Sequence, residues 1–268
     1  MQKTKKQVAE EQFHDKYALN TKLEEINVFE NFSFAAQENR YALKLFGNLM
    51  GKTILDLGCG FGETAVFWAK KGALVEAVDI SSASIEIAKK LAKKHKVSKN
   101  CRFQTMVSED LKFKKEYFDF VFGNGVLHHI DLDKSAPQIS RVLKRNGQAI
   151  FVEPLAYNPI INIYRDIAQD VRTPTESPLT FSKINKLKKH FKSVNHREFE
   201  LLTLLIFLWF YLASRVNPNK ERYWRKFLKT RGRLRNALKV LISADNVILK
   251  LLPPLRYLCW NTVIMAKK

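Results

Sequence analysis

Cysteine is scarce in this 268-residue chain, which contains only Cys59, Cys101 and Cys259. The three residues lie far apart, so they show neither the paired spacing of a zinc site nor a plausible disulfide framework. Free thiols at this density are typical of proteins from reducing compartments. The sequence therefore predicts no metal centre and no disulfide scaffold.

Long apolar runs are also absent. The longest nearly apolar run, residues 201–213, is shorter than the roughly 20 residues that a helix needs to cross a bilayer. The first residues, Met1–Lys6, are polar and lead into no apolar segment, so we expect no signal peptide. We therefore expect a cytoplasmic protein, either free or attached peripherally to the inner face of a membrane.

Acidic residues are rare near the C-terminus. The chain has a net charge of +20, and residues 213–268 hold 14 basic groups against only Glu221 and Asp245, a net +12 for that segment. A field of this sign attracts anionic phospholipids, nucleic acid or an acidic substrate. The simpler alternative is a solvated basic helix that keeps the protein in solution, since runs of charge are usually surface.

Glycine is sparse, with ten residues in the chain, yet three of them cluster in one turn. A predicted strand, Thr53–Leu57, runs directly into Gly58, Gly60 and Gly62, and a second predicted strand ends in front of Asp79. Glycine allows positive φ and close approach of a ligand to the backbone, and an acid at the next strand tip can accept hydrogen bonds from ribose hydroxyls. This pattern predicts a nucleoside site at the carboxyl edge of a parallel sheet.

Strands and helices alternate along the first 150 residues. Residues 63–71 and 82–94 have helical patterns, and Ser82 is the predicted cap of the second helix. The predicted strands are mostly continuous apolar runs, as buried parallel strands are, except residues 102–106, which suit a sheet edge. Such alternation predicts a doubly wound α/β fold. The five strands are Thr53–Leu57, Leu74–Val78, Cys101–Met106, Phe118–Phe122 and Gln148–Val152.

The motif Asp-Leu-Gly-Cys-Gly-Phe-Gly at residues 56–62 resembles the first motif of class I S-adenosylmethionine (SAM) methyltransferases, not the Gly-x-Gly-x-x-Gly of nicotinamide enzymes. Residues 118–130 resemble the fourth strand and following turn of that superfamily. Residues 141–147 and 149–154 resemble the approach to its fifth strand and the strand itself. The resemblance covers Lys52–Pro154, in the branch that contains quinone C-methyltransferases and small-molecule O-methyltransferases.

The resemblance implies a Rossmann-like sheet of seven mostly parallel strands that ends in an antiparallel pair. Residues 192–199 and 261–266 have the composition for that pair, but about sixty residues separate them instead of a short turn. The expected organisation is a helical N-terminal cap at 1–50, a SAM-binding core at 51–200, a helical insertion at 201–260 and a terminal strand at 261–268.

The same resemblance assigns roles in SAM binding. The methionine end is expected near Asp56 and the glycine turn, the ribose at Asp79 and the adenine against Ile80. Val107 occupies the position at which relatives place an acid after the third strand. Either Glu109 or Asp110 serves instead, or backbone groups alone recognise the adenine; we choose Glu109. The predicted cofactor-binding residues are Asp56, Gly58, Cys59, Gly60, Gly62, Asp79, Ile80, Glu109, Asn124 and Gly125.

His128 and His129 are the predicted acid–base residues, because a histidine can accept a hydroxyl proton near neutral pH. The alternative is that this pair forms a structural turn, as in many relatives. Glu153, Tyr157 and Asn158 are weaker candidates on the same side. The tetrapeptide with which nucleobase amino-methyltransferases hold their substrate, Asn/Asp-Pro-Pro-Tyr/Phe, is not found after the fourth strand.

Three functions remain open. The first is methyl transfer to an O or C nucleophile of a small lipophilic or lipid-linked substrate, because the aromatic run at 201–212 beside the basic stretch Lys220–Lys239 suits an anionic membrane surface. The second is an RNA methyltransferase that grips phosphates with the basic region. The third is a SAM-binding protein without transfer activity, an interaction module that forms a homo-oligomer through the insertion. The apolar run would then pack on the protein's own sheet or on a second subunit.

Overall fold

A computed structural model of the protein describes residues 3–219, 223–228 and 233–268. Its strands form one seven-stranded sheet in the order β3-β2-β1-β4-β5-β7-β6, in which only β7 runs antiparallel to its neighbours. This confirms the predicted fold, with β3 at an edge. The strands are β1 Thr53–Leu57, β2 Leu74–Asp79, β3 Cys101–Thr105, β4 Phe118–Asn124, β5 Leu143–Pro154, β6 Ser193–Phe199 and β7 Asn261–Lys267.

Helices cover both faces of the sheet. The helix that follows β2 begins one residue earlier than its predicted cap implies, because the side chain of Ser81, not Ser82, accepts the hydrogen bond from Ser84 N. The α-helices are α1 Lys5–Leu19, α2 Gln37–Phe46, α3 Glu63–Lys70, α4 Ser82–Lys94, α5 Leu132–Val142, α6 Pro159–Ile167, α7 Phe181–Lys186, α8 Leu205–Leu212, α9 Tyr223–Leu228 and α10 Arg233–Leu251.

The continuous apolar runs of the central strands bury side chains on both faces of the sheet. Ile54 of β1 packs in one apolar layer with Trp68 and Phe122. Its neighbours Leu55 and Leu57 pack in the layer on the opposite face. All of these side chains are at most 1% exposed.

Strand β5 is longer than predicted. It begins at Leu143, which pairs with Phe118 of β4, and the polar residues between Leu143 and Gln148 lie where the register shifts between Phe118 and Phe120. Asn146, at a φ of 64°, lies within this irregular stretch. The irregularity explains why the sequence pattern indicated only the regular half of the strand.

The segment between β6 and β7 is helical, as predicted, and contains α8, α9 and α10. It builds an apolar cluster in which Phe207, Phe210, Tyr223 and Phe227 are buried. Asp245 of α10 fixes the start of the segment, since its carboxylate accepts hydrogen bonds from the backbone N–H groups of residues 201–203. Part of the predicted basic stretch, residues 220–222 and 229–232, lies outside the described residues.

Helix α8 divides the predicted apolar run into two faces. Ile206, Phe207 and Phe210 are at most 4% exposed, whereas Trp209 is 47% and Leu212 is 69% exposed. Part of the run is therefore core, and the remainder is an apolar surface. Within the ranges that the structure describes, every helix is too short or too polar to cross a membrane.

Candidate functional site

A cavity of about 450 Å³ opens at the carboxyl ends of β1, β2 and β4. Its floor is the glycine turn after β1, and α1 and the turn after β4 form two of its sides. The remaining wall comes from the chain after β5 and includes charged side chains, among them Arg165, Arg172 and Glu176. Its apolar and aromatic part, called the roof below, comprises Ile161, Tyr164, Phe227, Leu228 and Trp260.

The glycine turn is held by backbone hydrogen bonds to the neighbouring strand. The N–H groups of Gly58 and Cys59 donate to Val78 O at 2.8 and 3.0 Å. Gly58 has a φ of 67°, and a Cβ there would lie 2.7 Å from Cγ2 of Val126. Gly62, at a φ of 82°, begins α3, and its Cβ would lie 2.9 Å from Cβ of Ala88. Both positions therefore require glycine.

Asp79, at the tip of β2, is fixed by two backbone hydrogen bonds. Oδ2 accepts from Gly60 N at 2.8 Å and Oδ1 accepts from Ser81 N at 2.9 Å. Each carboxylate oxygen has a second lone pair, so the group can still accept from a vicinal diol in the cavity. Asp79, Ile80, Cys59 and the backbone of Gly60 line the cavity together.

Asp56 lies behind the cavity wall instead of on it. It is 1% exposed, and Thr64, which does line the cavity, donates its hydroxyl to Asp56 Oδ2 at 2.6 Å. Burial raises the pKa of Asp56 to about 7. Gly62 likewise supports the wall from behind, so the structure assigns these two predicted residues a position beneath the turn.

Of the two acids considered after β3, the structure brings Glu109 to the cavity. Its carboxylate accepts from the Ser108 hydroxyl at 3.0 Å and from Asp131 N at 3.1 Å. Asp110 turns to Lys112 instead, at 2.7 Å. The position of Glu109 agrees with the predicted adenine contact, which stays a prediction.

Asn124 and Gly125 lie where β4 ends, on the wall of the cavity. Asn124 Nδ2 donates to Asn39 Oδ1 at 3.0 Å, and Gly125 N donates to Val152 O at 2.8 Å. Asn39 belongs to α2 and also lines the cavity. No sequence motif indicated Asn39, because its partner lies 85 residues away in the chain.

His128 is held in place by the side chain of Glu153. The Glu153 carboxylate accepts from the N–H groups of Val126 and Leu127 at 2.8 and 2.7 Å and contacts Nδ1 of His128 at 2.7 Å. Burial lowers the pKa of His128 to about 3 and raises that of Glu153 to about 7. This arrangement suits a neutral imidazole that fixes the turn after β4.

His129 faces a different carboxylate, Glu10 of α1. Its Nδ1 lies 3.1 Å from Glu10 Oε2 and 3.3 Å from the Thr173 hydroxyl. Burial lowers the pKa of His129. Although burial raises the pKa of Glu10, the nearby His129 and the Thr175 hydroxyl bring it down to about 2.

A second imidazole, that of His14, also lies close to Glu10. His14 Nε2 lies 3.7 Å from Glu10 Oε2, and ligand atoms of Glu10, His14 and His129 all lie within 4.8 Å of one another. Two imidazoles and a carboxylate form a donor set that divalent transition metals accept. The sequence analysis predicted no metal site and did not identify Glu10 or His14, because α1 shows no motif.

Tyr157 and Asn158 have structural partners. The Tyr157 hydroxyl accepts from Phe181 N at 2.8 Å. The Asn158 side chain accepts from Ile161 N at 3.0 Å, which caps α6, and donates to Leu258 O. The Tyr157 contact attaches the chain after β5 to α7, and the Asn158 contact with Leu258 attaches it to the segment before β7.

Residues 55–151 match the family model described as a methyltransferase domain. The chain is 29% identical over 124 residues to the uncharacterized methyltransferase YcgJ of Bacillus subtilis, which covers 46% of this chain and 49% of that protein. It is 36% identical over 95 residues to a ubiquinone biosynthesis O-methyltransferase of Pelagibacter ubique, which covers 35% and 38%. The chain thus spans about half or less of the length of these curated relatives.

Solved structures share the fold. The geranyl diphosphate C-methyltransferase of Streptomyces coelicolor aligns with 98% of both chains at a TM-score of 0.59 and 16% identity. The phosphoethanolamine N-methyltransferase 2 of Haemonchus contortus, solved with SAM, aligns with 86% of this chain and 52% of its own at a TM-score of 0.57 and 22% identity. At these identities the likeness establishes the architecture of the sheet.

Proposed function

We propose that this chain, whose residues 55–151 match a methyltransferase domain, transfers the methyl group of SAM to an O or C nucleophile of a small lipophilic or lipid-linked substrate. One observation supports this most directly. A single cavity joins the glycine turn and Asp79 to the apolar roof. Cofactor and substrate would therefore meet in one space.

The described residues fit SAM. The glycine turn forms a cradle that a Cβ at Gly58 would fill, and Asp79 keeps lone pairs for two ribose hydroxyls. When bound, SAM supplies a methyl group already activated by its sulfonium. The protein's task is then to orient the acceptor in line with that methyl group and to exclude water.

The roof supports an apolar acceptor. Phe207, beneath it, lies 4.7 Å from Trp260 and 6.1 Å from Tyr164 between ring centroids, so these rings form one aromatic layer. Pockets lined in this way bind ligands mainly by burying apolar area and use a few polar groups for orientation. The ubiquinone biosynthesis relatives, whose names specify O-methyl transfer, agree with a lipophilic acceptor.

The proposal is tested in two steps. Calorimetry should show that the protein binds SAM; binding of a nicotinamide cofactor without SAM would contradict the proposal. A cell lysate supplied with isotope-labelled SAM and the protein should then yield labelled product in the organic extract. Label in RNA would favour the RNA methyltransferase alternative, and no label despite SAM binding would favour the non-catalytic module.

We also propose that the exposed face of α8 contacts an anionic membrane surface. Leu205, Trp209, Tyr211 and Leu212 are between 47% and 69% exposed. The adjoining segment 213–268 has the net charge of +12. An apolar face beside basic groups suits the interface of an anionic bilayer, where each Lys or Arg near the surface contributes about 1 kcal/mol.

Sedimentation with vesicles tests this contact. Binding should occur with phosphatidylserine-containing vesicles, decrease as salt rises and weaken in Trp209→Glu. Leu19→Glu is the matched control, because Leu19 is an exposed apolar residue (82%) at the end of α1. Protein that stays in the supernatant with every vesicle would contradict the membrane contact. A dimer that Trp209→Glu dissociates would support the oligomer alternative.

A further inference from the structure

Two glutamates face the cavity from elements that the methyltransferase motifs do not include. Glu38 lies in the first turn of α2 and is 6% exposed, and Glu200 directly follows β6 and is 2% exposed. Both line the cavity. Buried carboxyl groups are uncommon unless they are paired, so this pair requires an explanation.

The two carboxyl groups contact each other. Glu38 Oε1 accepts from Asn39 Nδ2 at 3.3 Å, while Glu38 Oε2 is buried and receives no hydrogen bond from the residues that the structure describes. Glu200 Oε2 accepts from Asn261 Nδ2 at 2.8 Å. Two buried carboxylates in contact repel each other, so such a pair holds a proton between them.

The electrostatics agree with a shared proton. Burial raises the pKa of Glu38 to about 7. Burial also raises the pKa of Glu200 well above its usual range, and the charges of Glu38 and Asp245 raise it further. Both shifts favour the retention of at least one proton by the pair near neutral pH.

The backbone at Glu200 is strained. Its φ is 68°, in the left-handed region that favours glycine, and its carbonyl accepts from Trp260 N at 3.1 Å. Asp245 holds the next three residues by their N–H groups. Non-glycine residues adopt this conformation uncommonly, although Lys96, Glu116, Asn146 and Arg215 of this chain do so away from the cavity. Glycine or asparagine would adopt the same turn more easily, so the turn itself does not explain a glutamate.

The pair lies between the cofactor wall and the roof. On one side, Glu38 contacts Asn39, which accepts from Asn124 at the end of β4. On the other side, Glu200 contacts Asn261, next to Trp260 of the roof. An acceptor placed under the roof would therefore meet these carboxyl groups beside the cofactor.

We propose that Glu38 and Glu200 form a proton-sharing pair that binds the acceptor hydroxyl of the substrate and takes its proton during methyl transfer. This inference rests on the proposed function and selects a hydroxyl among the possible acceptors. A hydroxyl both donates and accepts hydrogen bonds, which matches a pair that offers one carboxylate and one acid. An ammonium group only donates.

Methyl transfer to the hydroxyl forms one bond, breaks another and releases one proton. The hydroxyl oxygen forms a bond to the methyl carbon while the carbon–sulfur bond breaks and its electron pair stays on sulfur, which becomes the neutral thioether. The hydroxyl proton moves to the carboxylate of the pair. Both carboxyl groups are then protonated, and one proton leaves to solvent with the product. General-base assistance of this kind contributes about 10²- to 10⁴-fold in rate.

The binding experiment uses protein saturated with S-adenosylhomocysteine and two fluorescent probes, 2-naphthol and naphthalene, which differ only in the hydroxyl. Wild-type protein should bind 2-naphthol at least about tenfold more tightly than naphthalene, as expected for a hydrogen bond to a charged group. Equal affinities, or no binding of 2-naphthol, would overturn the inference. This comparison needs no variant.

Variants then locate the preference. The double variant Glu38→Gln/Glu200→Gln should bind 2-naphthol and naphthalene with equal affinity. Its affinity for S-adenosylhomocysteine should stay within about twofold of the wild-type value. Glu198→Gln is the matched control, since Glu198 lies two residues before Glu200 and contacts His196 and Thr262; it should keep the preference. A preference that persists in the double variant would overturn the inference. If S-adenosylhomocysteine itself does not bind to the wild type, the proposed function fails instead.

Discussion

The glycine turn and the roof face each other across one cavity, yet they depend on different parts of the chain. The turn is a contiguous stretch that presents backbone atoms. Its glycines have positive φ, and a Cβ at Gly58 or Gly62 would in addition collide with Val126 or Ala88. The roof is assembled from α6, α9 and Trp260 and presents side chains. Recognition by backbone atoms restricts the residue type, whereas an apolar wall needs only shape and volume. The turn can therefore be recognised as a motif in the sequence, whereas the roof cannot.

The largest expected effect tests whether the insertion has a core of its own. Phe210 is 2% exposed and packs with Phe207 and Tyr223. Phe210→Ala should lower the free energy of unfolding by about 3–5 kcal/mol, as for other buried aromatic side chains. Its neighbour Trp209, 47% exposed, is the control, and Trp209→Ala should cost clearly less. Urea unfolding measures both. Equal losses would contradict the two-faced packing of α8.

The next effect concerns the cofactor wall. Asp79→Ala removes the carboxylate that is expected to bind the ribose and that also holds Gly60 N. SAM binding should weaken by about 1.5–3 kcal/mol, the usual contribution of hydrogen bonds to a charged group. Glu76→Ala removes an acid from the same strand, where it contacts Gln104 away from the cavity. Calorimetry should show unchanged SAM binding in that control; a comparable loss there would mean that β2 as a whole, not Asp79, supports binding.

The free energy of unfolding should depend on pH by about 2 kcal/mol, because Asp56 is a buried acid beneath the cofactor wall. Its pKa is raised from 3.8 to about 7, so the folded state binds this proton more tightly than the unfolded state does. The resulting stability is full below about pH 4 and is lost as pH rises through 7. Between pH 5.5 and 7.5 the loss is about 2 kcal/mol.

Urea unfolding of the SAM-free protein at these two pH values measures this loss. Asp56→Asn should remove this part of the pH dependence, because asparagine does not titrate. The contact with Thr64 should be retained, since the amide oxygen can still accept its hydrogen bond. Glu38, Glu153 and Glu200 have raised pKa values as well, so the stability of Asp56→Asn should still decline with pH, but less than that of the wild type. Identical pH dependence in wild type and Asp56→Asn would show that Asp56 is ionised throughout.

The smallest effect tests a local feature of the cofactor half. Ser81→Ala removes the oxygen that caps α4 and also the contact with Asp15 of α1. The loss in stability should be about 1 kcal/mol. Ser82→Ala changes the next residue, which was the predicted cap, and should have little effect by thermal unfolding. A larger loss of stability in Ser82→Ala than in Ser81→Ala would show that Ser82 caps α4, as the sequence predicted.

Local patterns explain why the cofactor half was predictable. Strands β1, β2 and β4 are short, mostly apolar runs, and the turn residues follow them directly, so neighbours in sequence are neighbours in space. The exceptions are also local. The cap of α4 was displaced by one residue, and β5 extends back to Leu143 through a bulge that apolar periodicity does not reveal.

The acid–base assignment depended on tertiary contacts. The sequence offered His128 and His129 as a pair, but the structure gives each a separate carboxylate, Glu153 for one and Glu10 for the other. These contacts turn His128 into an anchor and connect His129 to α1. The catalytic roles of both histidines stay predictions.

The sheet, the glycine turn and the acid at the tip of β2 could be predicted from the amino-acid order, because these depend on backbone conformation and on residues close together in the chain. Only the tertiary structure brought Glu38 to Glu200, Asn39 to Asn124 and Glu10 to His129. No periodicity relates residues so far apart, and their pairing depends on how α1, α2 and the insertion dock on the sheet. The apolar run at α8 was divided between core and surface for the same reason, since burial is a property of the packed neighbours and not of the run itself.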